Sequence, residues 1–93
     1  MTENEYRESW VERGYSFGSG TVTLEKGVVQ AVHDEKDELV VVANGKLEFI
    51  IDENKFVANC DTEIIIPAKA VHSIKNIGSE NSVIYYGYKS TNL

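Results

Sequence analysis

The sequence predicts an all-β domain that is preceded by one short helix. Eight short runs rich in Val, Ile, Thr, Tyr and Phe follow one another, and turn residues separate them. Such regular spacing is typical of a β-sandwich or a closed barrel. Leu47 and Phe49 alternate with Lys46 and Glu48, which is typical of a strand with one buried face.

The helix is predicted at the N-terminus. Thr2 and Glu5 have the spacing of a capping box, in which each side chain binds a backbone N–H of the first turn. Tyr6 and Trp10 lie four residues apart, so both fall on one helical face and are expected to pack on the main body. Gly14 is suited to end the helix. We expect Trp10 to cover an open barrel end or a dimer seam.

The strand pattern begins after Tyr15. Asn44-Gly45 predicts a hairpin with a type I′ turn, because both residues tolerate positive φ. Residues 52–54 predict a second tight turn. The predicted strands cover residues 20–24, 28–33, 38–43, 46–51, 55–58, 63–66, 72–76 and 83–88.

Two of these runs, 39–43 and 64–66, are apolar on both faces. A strand on the surface of a monomer should have one polar face. Either another sheet or another subunit is therefore expected to cover the second face, and we expect a homodimer.

Composition limits the classes of function. The 93 residues fit one domain, 1–93, with a core at about 18–90. The net charge of −6 predicts no nucleic-acid partner and no membrane partner. Without a signal peptide or an apolar span in the sequence, a cytoplasmic location is expected. The single cysteine, Cys60, is interpreted as a small buried apolar residue.

Only two histidines are present, His33 and His72, and each falls in a predicted strand. His33 precedes Glu38 by five residues across a polar turn. Imidazole and carboxylate groups are ligands of Fe, Mn, Ni, Co and Zn. Two His and one carboxylate would leave positions on a metal for water and substrate. On spacing alone, ordinary surface or core histidines are the favoured interpretation.

The sequence around these residues has a recognisable motif. In the stretch AVHDEKDELVVVANG, four residues separate His33 from Glu38 and six separate Glu38 from Gly45. These gaps resemble the first motif of the cupin superfamily. In DTEIIIPAKAVHSIKN, Pro67, His72 and Asn76 stand at the proline, histidine and asparagine of the second cupin motif. The chain thus resembles a small single-domain cupin from about residue 20 to 89.

This resemblance implies a jelly-roll barrel, or double-stranded β-helix, with a short N-terminal helix. It implies that His33, Glu38 and His72 point into the barrel and hold one divalent transition metal ion, Fe, Mn, Ni, Co or Zn. Ala31 stands where the motif has its first histidine, so three ligands would replace the usual four. The alternative is a buried hydrogen-bonded network of the same three side chains without metal.

Other motif positions have structural interpretations. Asn76 is expected to bind backbone where a strand gives way to a turn, and Pro67 to fix a strand end. Alternation sends Tyr86 and Tyr88 to one face of the last strand and Tyr85 to the other. Packing is the preferred role of these tyrosines, and a phenol that lines the pocket as an acid or ligand is the alternative.

Three functions follow from these observations. The first is a metal-dependent enzyme that binds or transforms a small organic molecule inside the barrel. The second is a metal-free module that binds or senses a small molecule without catalysis. The third, ranked last, is a structural or scaffold protein that acts through its dimer surface. The reaction, the substrate and any catalytic residue are not identified by the sequence.

Overall fold

The computed structural model of the chain describes residues 1–24, 28–31 and 35–89. One helix and eight strands follow one another in the described residues, and the ends seen in the structure lie within two residues of those predicted. The predicted strand 28–33 runs beyond the described residues at its C-terminal end. The elements are α1 (Glu3–Glu12), β1 (Gly18–Val22), β2 (Val28–Ala31), β3 (Glu38–Asn44), β4 (Leu47–Ile51), β5 (Asn54–Ala58), β6 (Glu63–Ile66), β7 (His72–Asn76) and β8 (Ser82–Tyr88).

The strands pair antiparallel into two four-stranded sheets. One sheet has the order β1-β8-β3-β6, and the other has the order β2-β7-β4-β5. Strands that are distant in sequence lie side by side, because the chain passes repeatedly from one sheet to the other. This is the topology of a jelly-roll barrel, so the predicted fold class is confirmed.

Helix α1 begins and ends as the sequence predicts. The Thr2 N–H donates to Glu5 Oε1 (2.7 Å), and the Glu5 N–H donates to Thr2 Oγ1 (3.2 Å), which completes the capping box. The helix ends before Gly14, whose φ of 87° suits a residue without a side chain. No helix in the described part of the chain is long and apolar enough to cross a membrane.

The two predicted tight turns have different outcomes. β4 and β5 form a hairpin in which Ile51 pairs with Asn54, as predicted. The prediction of a hairpin at Asn44-Gly45 is wrong, because β3 and β4 lie in different sheets and do not pair. Gly45 has a φ of 96°, and a side chain there would collide with Ser82. Gly45 therefore lies where the chain crosses from one sheet to the other, at a position without room for a side chain.

The barrel interior is filled with apolar side chains from both sheets. Every second residue of β3 and β6 points inward, and the inward side chains meet those of β4 and β7. The buried members of this cluster are Val22, Val40, Val42, Leu47, Phe49, Ala58, Ile64, Ile66, Ala70 and Ile74.

A second apolar cluster lies outside the barrel, between α1 and the outer face of β3 and β8. Tyr6 and Trp10 of α1 are 2% and 0% exposed, and they cover the fully buried Leu39 and Val41. The second apolar face of β3 is therefore covered by the chain's own helix, and the expectation of another sheet or subunit there is wrong. Trp10 was predicted at a barrel end or a dimer seam, but it lies on the outer face of the sheet. The outer face of β6 is not covered in the same way, because Ile65 is 56% exposed.

Candidate functional site

Glu38 and His72 approach each other at one end of the barrel interior. Glu38 opens β3 in one sheet, and His72 opens β7 in the other. His72 Nε2 lies 3.8 Å from Glu38 Oε1, and the two side chains are 10% and 13% exposed. The distance exceeds that of a hydrogen bond, so the pair is a close inter-sheet contact between a ring nitrogen and a carboxylate.

The predicted metal site is only partly described. His72 Nδ1 is buried and has no hydrogen-bond partner, which leaves the ring with unused ligand capacity. Among the described residues no group of three His, Cys, Asp or Glu side chains could hold a metal ion. His33 lies outside the described residues. The set of His33, Glu38 and His72, and the divalent metal ion with it, stays a prediction.

The three tyrosines of β8 divide between the two faces as predicted. Tyr86 and Tyr88 lie on the face of Glu38, which is the register partner of Tyr88, and their ring centroids are 6.4 Å apart. Tyr85 points outward, and its ring centroid lies 5.7 Å from that of Tyr6 and 5.3 Å from that of Phe17. Tyr85 therefore packs α1 onto the sheet.

Asn76 has the structural role that was predicted for it. Its Nδ2 donates to the carbonyls of Val22 (2.9 Å) and Glu80 (2.8 Å), and its Oδ1 accepts from the Gly78 N–H (2.9 Å). The side chain is 8% exposed, so these bonds replace lost water contacts. Pro67 directly follows β6, which confirms the predicted strand end.

A second polar cluster joins the helical segment to Asp61, which precedes β6, and to Glu63, which is the first residue of β6. The Tyr6 hydroxyl donates to Asp61 Oδ1 (2.6 Å), and Trp10 Nε1 donates to Glu63 Oε2 (3.1 Å). Arg13 donates two hydrogen bonds to the Glu63 carboxylate, at 3.2 and 3.1 Å. Two acidic residues at one corner of the barrel therefore hold three side chains from the helical segment.

These contacts change the acidity of the groups involved. Burial raises the pKa of Glu63, but the hydrogen bonds from Arg13 and Trp10 outweigh it and hold the pKa below its ordinary value. Burial and the hydrogen bond to Asp61 raise the pKa of the Tyr6 hydroxyl well above its ordinary value. No local pattern in the sequence predicts this cluster, because its residues are fifty or more positions apart and meet only in the folded chain.

Cys60 does not have the environment that was predicted for it. It lies in the connection between β5 and β6 and is exposed. Its Sγ is 3.9 Å from the Gly45 carbonyl oxygen. The interpretation of Cys60 as a buried apolar residue is therefore wrong, because this connection runs along the surface.

The family model described as Mif2/CENP-C like matches residues 7–88. A curated relative is the inner kinetochore subunit cnp3 of Schizosaccharomyces pombe, with 30% identity over 80 residues. The match covers 84% of this chain and 12% of that protein. The chain thus corresponds to a small part of a much longer relative.

Solved structures confirm the cupin fold. The Cupin_2 domain of an XRE-family transcriptional regulator from Enterobacter cloacae has a TM-score of 0.75 and 21% identity, over 89% of this chain and 90% of that one. The cupin domain of Cnp3 from S. pombe has a TM-score of 0.74 and 23% identity, over 85% of this chain and 58% of that one. An oxalate oxidase has a TM-score of 0.71 and 19% identity, over 86% of this chain and 44% of that one. Proteins with unlike functions share the fold, so the fold alone does not assign one.

The family match overturns two predictions from the sequence. The first prediction was that the chain binds or transforms a small organic molecule at a metal centre, with a metal-free ligand-binding module as its alternative. Both predictions of function are wrong. The second prediction concerned partners: a small-molecule ligand was expected and nucleic acid was excluded. This prediction is wrong, because the relative is a kinetochore subunit. The small-molecule predictions arose because cupin motifs specify a barrel and not its use, whereas the exclusion of nucleic acid rested on the net charge of the chain alone. The chain belongs to the Mif2/CENP-C-like family and has the cupin fold.

Proposed function

We propose that this chain is a structural assembly domain that acts through contacts with other protein chains in a complex bound to chromosomes. The observation that carries the proposal is the match of residues 7–88 to the Mif2/CENP-C-like family model. The curated relative is by name a subunit of the inner kinetochore. A chromosomal location would replace the predicted cytoplasmic one.

The packing of the barrel supports a structural role. Aliphatic and aromatic side chains fill its interior, with Phe49 and Leu47 fully buried at the centre. Glu38 and His72 lie at one end of this core and connect the two sheets. In this proposal the barrel is a rigid support, and its outer surface makes the contacts that matter.

We further propose that the domain self-associates, as the sequence predicted with a homodimer. A chain of 93 residues buries a modest fraction of its surface when it folds alone. β6 and β5 each stand at one of the two ends of their sheet, with one neighbour among the described strands. Exposed apolar side chains lie on both strands: Phe56 (36%), Val57 (46%) and Ile65 (56%). Apolar groups beside unpaired strand edges favour a protein partner.

The test follows the protein that carries this chain, tagged at its own genomic locus. The proposal expects it to co-sediment with chromatin and to be released when the chromatin is digested with nuclease. A matched control is the same protein with residues 7–88 deleted, which should bind chromatin less. Full retention of chromatin binding by the deletion variant, or a wild-type protein that never binds chromatin, would refute the proposal.

A further inference from the structure

We propose that Lys69 binds a carboxylate of another protein in the complex on chromosomes. This contact rests on the proposed function and names one residue of the outer surface that the function requires. Lys69 lies in the connection between β6 and β7, at the end of the barrel where Glu38 and His72 approach each other. Its backbone conformation is one that favours glycine, and its side chain has no use within the fold.

The connection between β6 and β7 contains a tight turn with lysine at its third residue. The Ala70 N–H donates to the Pro67 carbonyl (3.1 Å), which closes a turn of four residues. Lys69, at the third position, has a φ of 68°. A turn with a positive φ at this position, such as type II, favours glycine there. A residue with a Cβ atom adopts this conformation at a cost in stability.

Among the described residues, two other non-glycine residues have a positive φ, and both use their side chains within the chain. Asp52, with a φ of 54°, accepts a hydrogen bond from the Val71 N–H at Oδ1 (3.2 Å). Asp61, with a φ of 66°, accepts one from the Tyr6 hydroxyl (2.6 Å). Aspartate also tolerates the left-handed conformation better than lysine does. In both cases a contact in the fold offsets the cost of the conformation.

Lys69 has no such contact. In the part of the chain that the structure describes, no hydrogen bond or ion pair holds its side chain, and the residue is exposed. Its strained conformation is therefore not offset by anything that its side chain does in the fold. A strained residue of this kind is expected to serve a function, and an exposed ammonium group can serve it only through another molecule.

The turn is held on both sides, so it presents Lys69 in one position. Before Lys69, the Ala68 N–H donates to Asp37 Oδ1 (2.7 Å). After it, the Val71 N–H donates to Asp52 Oδ1 (3.2 Å), and the Val71 carbonyl accepts from the Asp52 N–H (2.7 Å). Because two neighbouring loops hold the backbone of the turn, a partner that binds it has little backbone left to order.

The composition of the turn favours a protein carboxylate as the partner group. Pro67 and Val71 are also exposed, Val71 by 49%, so the turn presents an ammonium group between two apolar side chains. Such a surface fits a protein segment in which an acidic side chain lies beside an apolar one. Binding to DNA relies on several cations that neutralise phosphates together, whereas Lys69 is the one cation of its turn.

Carbodiimide crosslinking tests the contact directly, because the reagent joins a lysine amine to a carboxylate in contact with it and adds no spacer. Chromatin from cells that carry the tagged protein is treated with the reagent, and linked peptides are identified by mass spectrometry. Lys69 should be joined to an aspartate or glutamate of another protein. Lys69→Arg keeps the charge but lacks the reactive amine, so this variant should stay on chromatin and lose the link.

Charge reversal measures the contribution of the contact. Lys69→Glu should lower the ratio of chromatin-bound to free protein about tenfold, as expected for the loss of one hydrogen bond between charged groups. The control Lys46→Glu makes the same change of charge at an exposed lysine at the opposite end of the barrel. This control should leave the ratio unchanged.

Thermal melts of the purified chain test the strain. Lys69→Gly should melt at or above the wild-type temperature, because relief of the positive φ offsets the freedom that glycine gives the unfolded chain. The control Asp52→Gly relieves a similar φ but removes the bond to the Val71 N–H, so it should melt below the wild type. A lower melting temperature for Lys69→Gly would show that the lysine stabilises the fold, and would overturn the proposal.

The outcomes separate this contact from the proposed function. A wild type that never binds chromatin would overturn both. A wild type that binds chromatin, with equal binding by Lys69→Glu and no link to Lys69, would overturn the contact and leave the function standing. A link from Lys69 only to this chain or a second copy of it would also overturn the contact. Binding of the purified chain to duplex DNA that Lys69→Glu abolishes would replace the carboxylate by a phosphate.

Discussion

Replacement of Trp10 by alanine tests whether α1 is an integral layer of the fold. Trp10 is 0% exposed, its ring packs on Phe17 at a centroid distance of 5.3 Å, and its Nε1 donates to Glu63. Truncation of a buried tryptophan to alanine costs about 3–5 kcal/mol. Leu39 and Val41, which are fully buried beneath it, would gain contact with water.

The loss should be large compared with the stability of the domain. A folded chain is stable by about 5–15 kcal/mol, and each 1 kcal/mol moves the melting temperature of a chain this size by about 4–8 °C. Trp10→Ala should therefore lower the melting temperature by about 12 °C or more. Urea titration followed by circular dichroism gives the same quantity as a free energy of unfolding.

The neighbouring residue provides the control. Val11 is 60% exposed on the same helix, so Val11→Ala should change stability by less than about 0.5 kcal/mol. Both variants should be compared at low and high protein concentration, because a tryptophan at a dimer seam would show a concentration-dependent cost. Equal stability of Trp10→Ala and Val11→Ala would refute the packing of α1 on this sheet.

Three further predictions concern single contacts. The pKa of Glu63 is lower in the folded chain than in the unfolded chain, so the carboxylate stabilises the fold above its ordinary pKa of 4.5 and this stabilisation is lost as the pH falls. The free energy of unfolding of Glu63→Gln should therefore depend less steeply on pH below that value. An unchanged slope would contradict the assignment. Asn76→Ala should cost about 2–3 kcal/mol in urea unfolding, because it leaves buried backbone groups without partners, and a cost near zero would show that water replaces the amide. Gly87→Ala should destabilise the domain, because the added methyl group would collide with the Ser16 carbonyl and lie 3.2 Å from Trp10. The control Gly20→Ala adds a methyl group with ordinary contacts and should leave the stability unchanged. Equal melting temperatures of the two variants would argue against the close approach of Gly87 to Ser16.

Local patterns in the sequence were enough to predict most of the elements. The ends of β6 and β7 match the prediction, because alternation and turn residues act within a few positions. The capping box at Thr2 and the stop at Gly14 are equally local. Spacing within the cupin motifs predicted the approach of Glu38 and His72, because the fold determines that contact.

The predictions that failed depend on which strands become neighbours. Asn44-Gly45 has the composition of a hairpin turn, yet the chain crosses between sheets there, and no local signal distinguishes the two. The apolar outer face of β3 could be covered by a sheet, a subunit or a helix, and Trp10 covers it only through contacts with Glu63 and Gly87, which are distant in sequence.

The use of the barrel could not be predicted from its motif residues. Glu38 approaches His72 and Asn76 binds a backbone carbonyl, and neither contact requires a ligand in the barrel. Function in such a fold depends on surfaces and partners that the motif does not encode. The match to the family model identifies the family, which periodicity and ligand chemistry did not.

The central claim is that the domain works through its surface and not through chemistry inside the barrel. The most direct test is the double variant Glu38→Gln/His72→Gln at the genomic locus, with folding verified by thermal melts of the purified chain. Association of the tagged protein with chromatin should equal that of the wild type. Loss of chromatin association by a variant that is folded and stable would contradict the claim and return the barrel interior to the centre of the function.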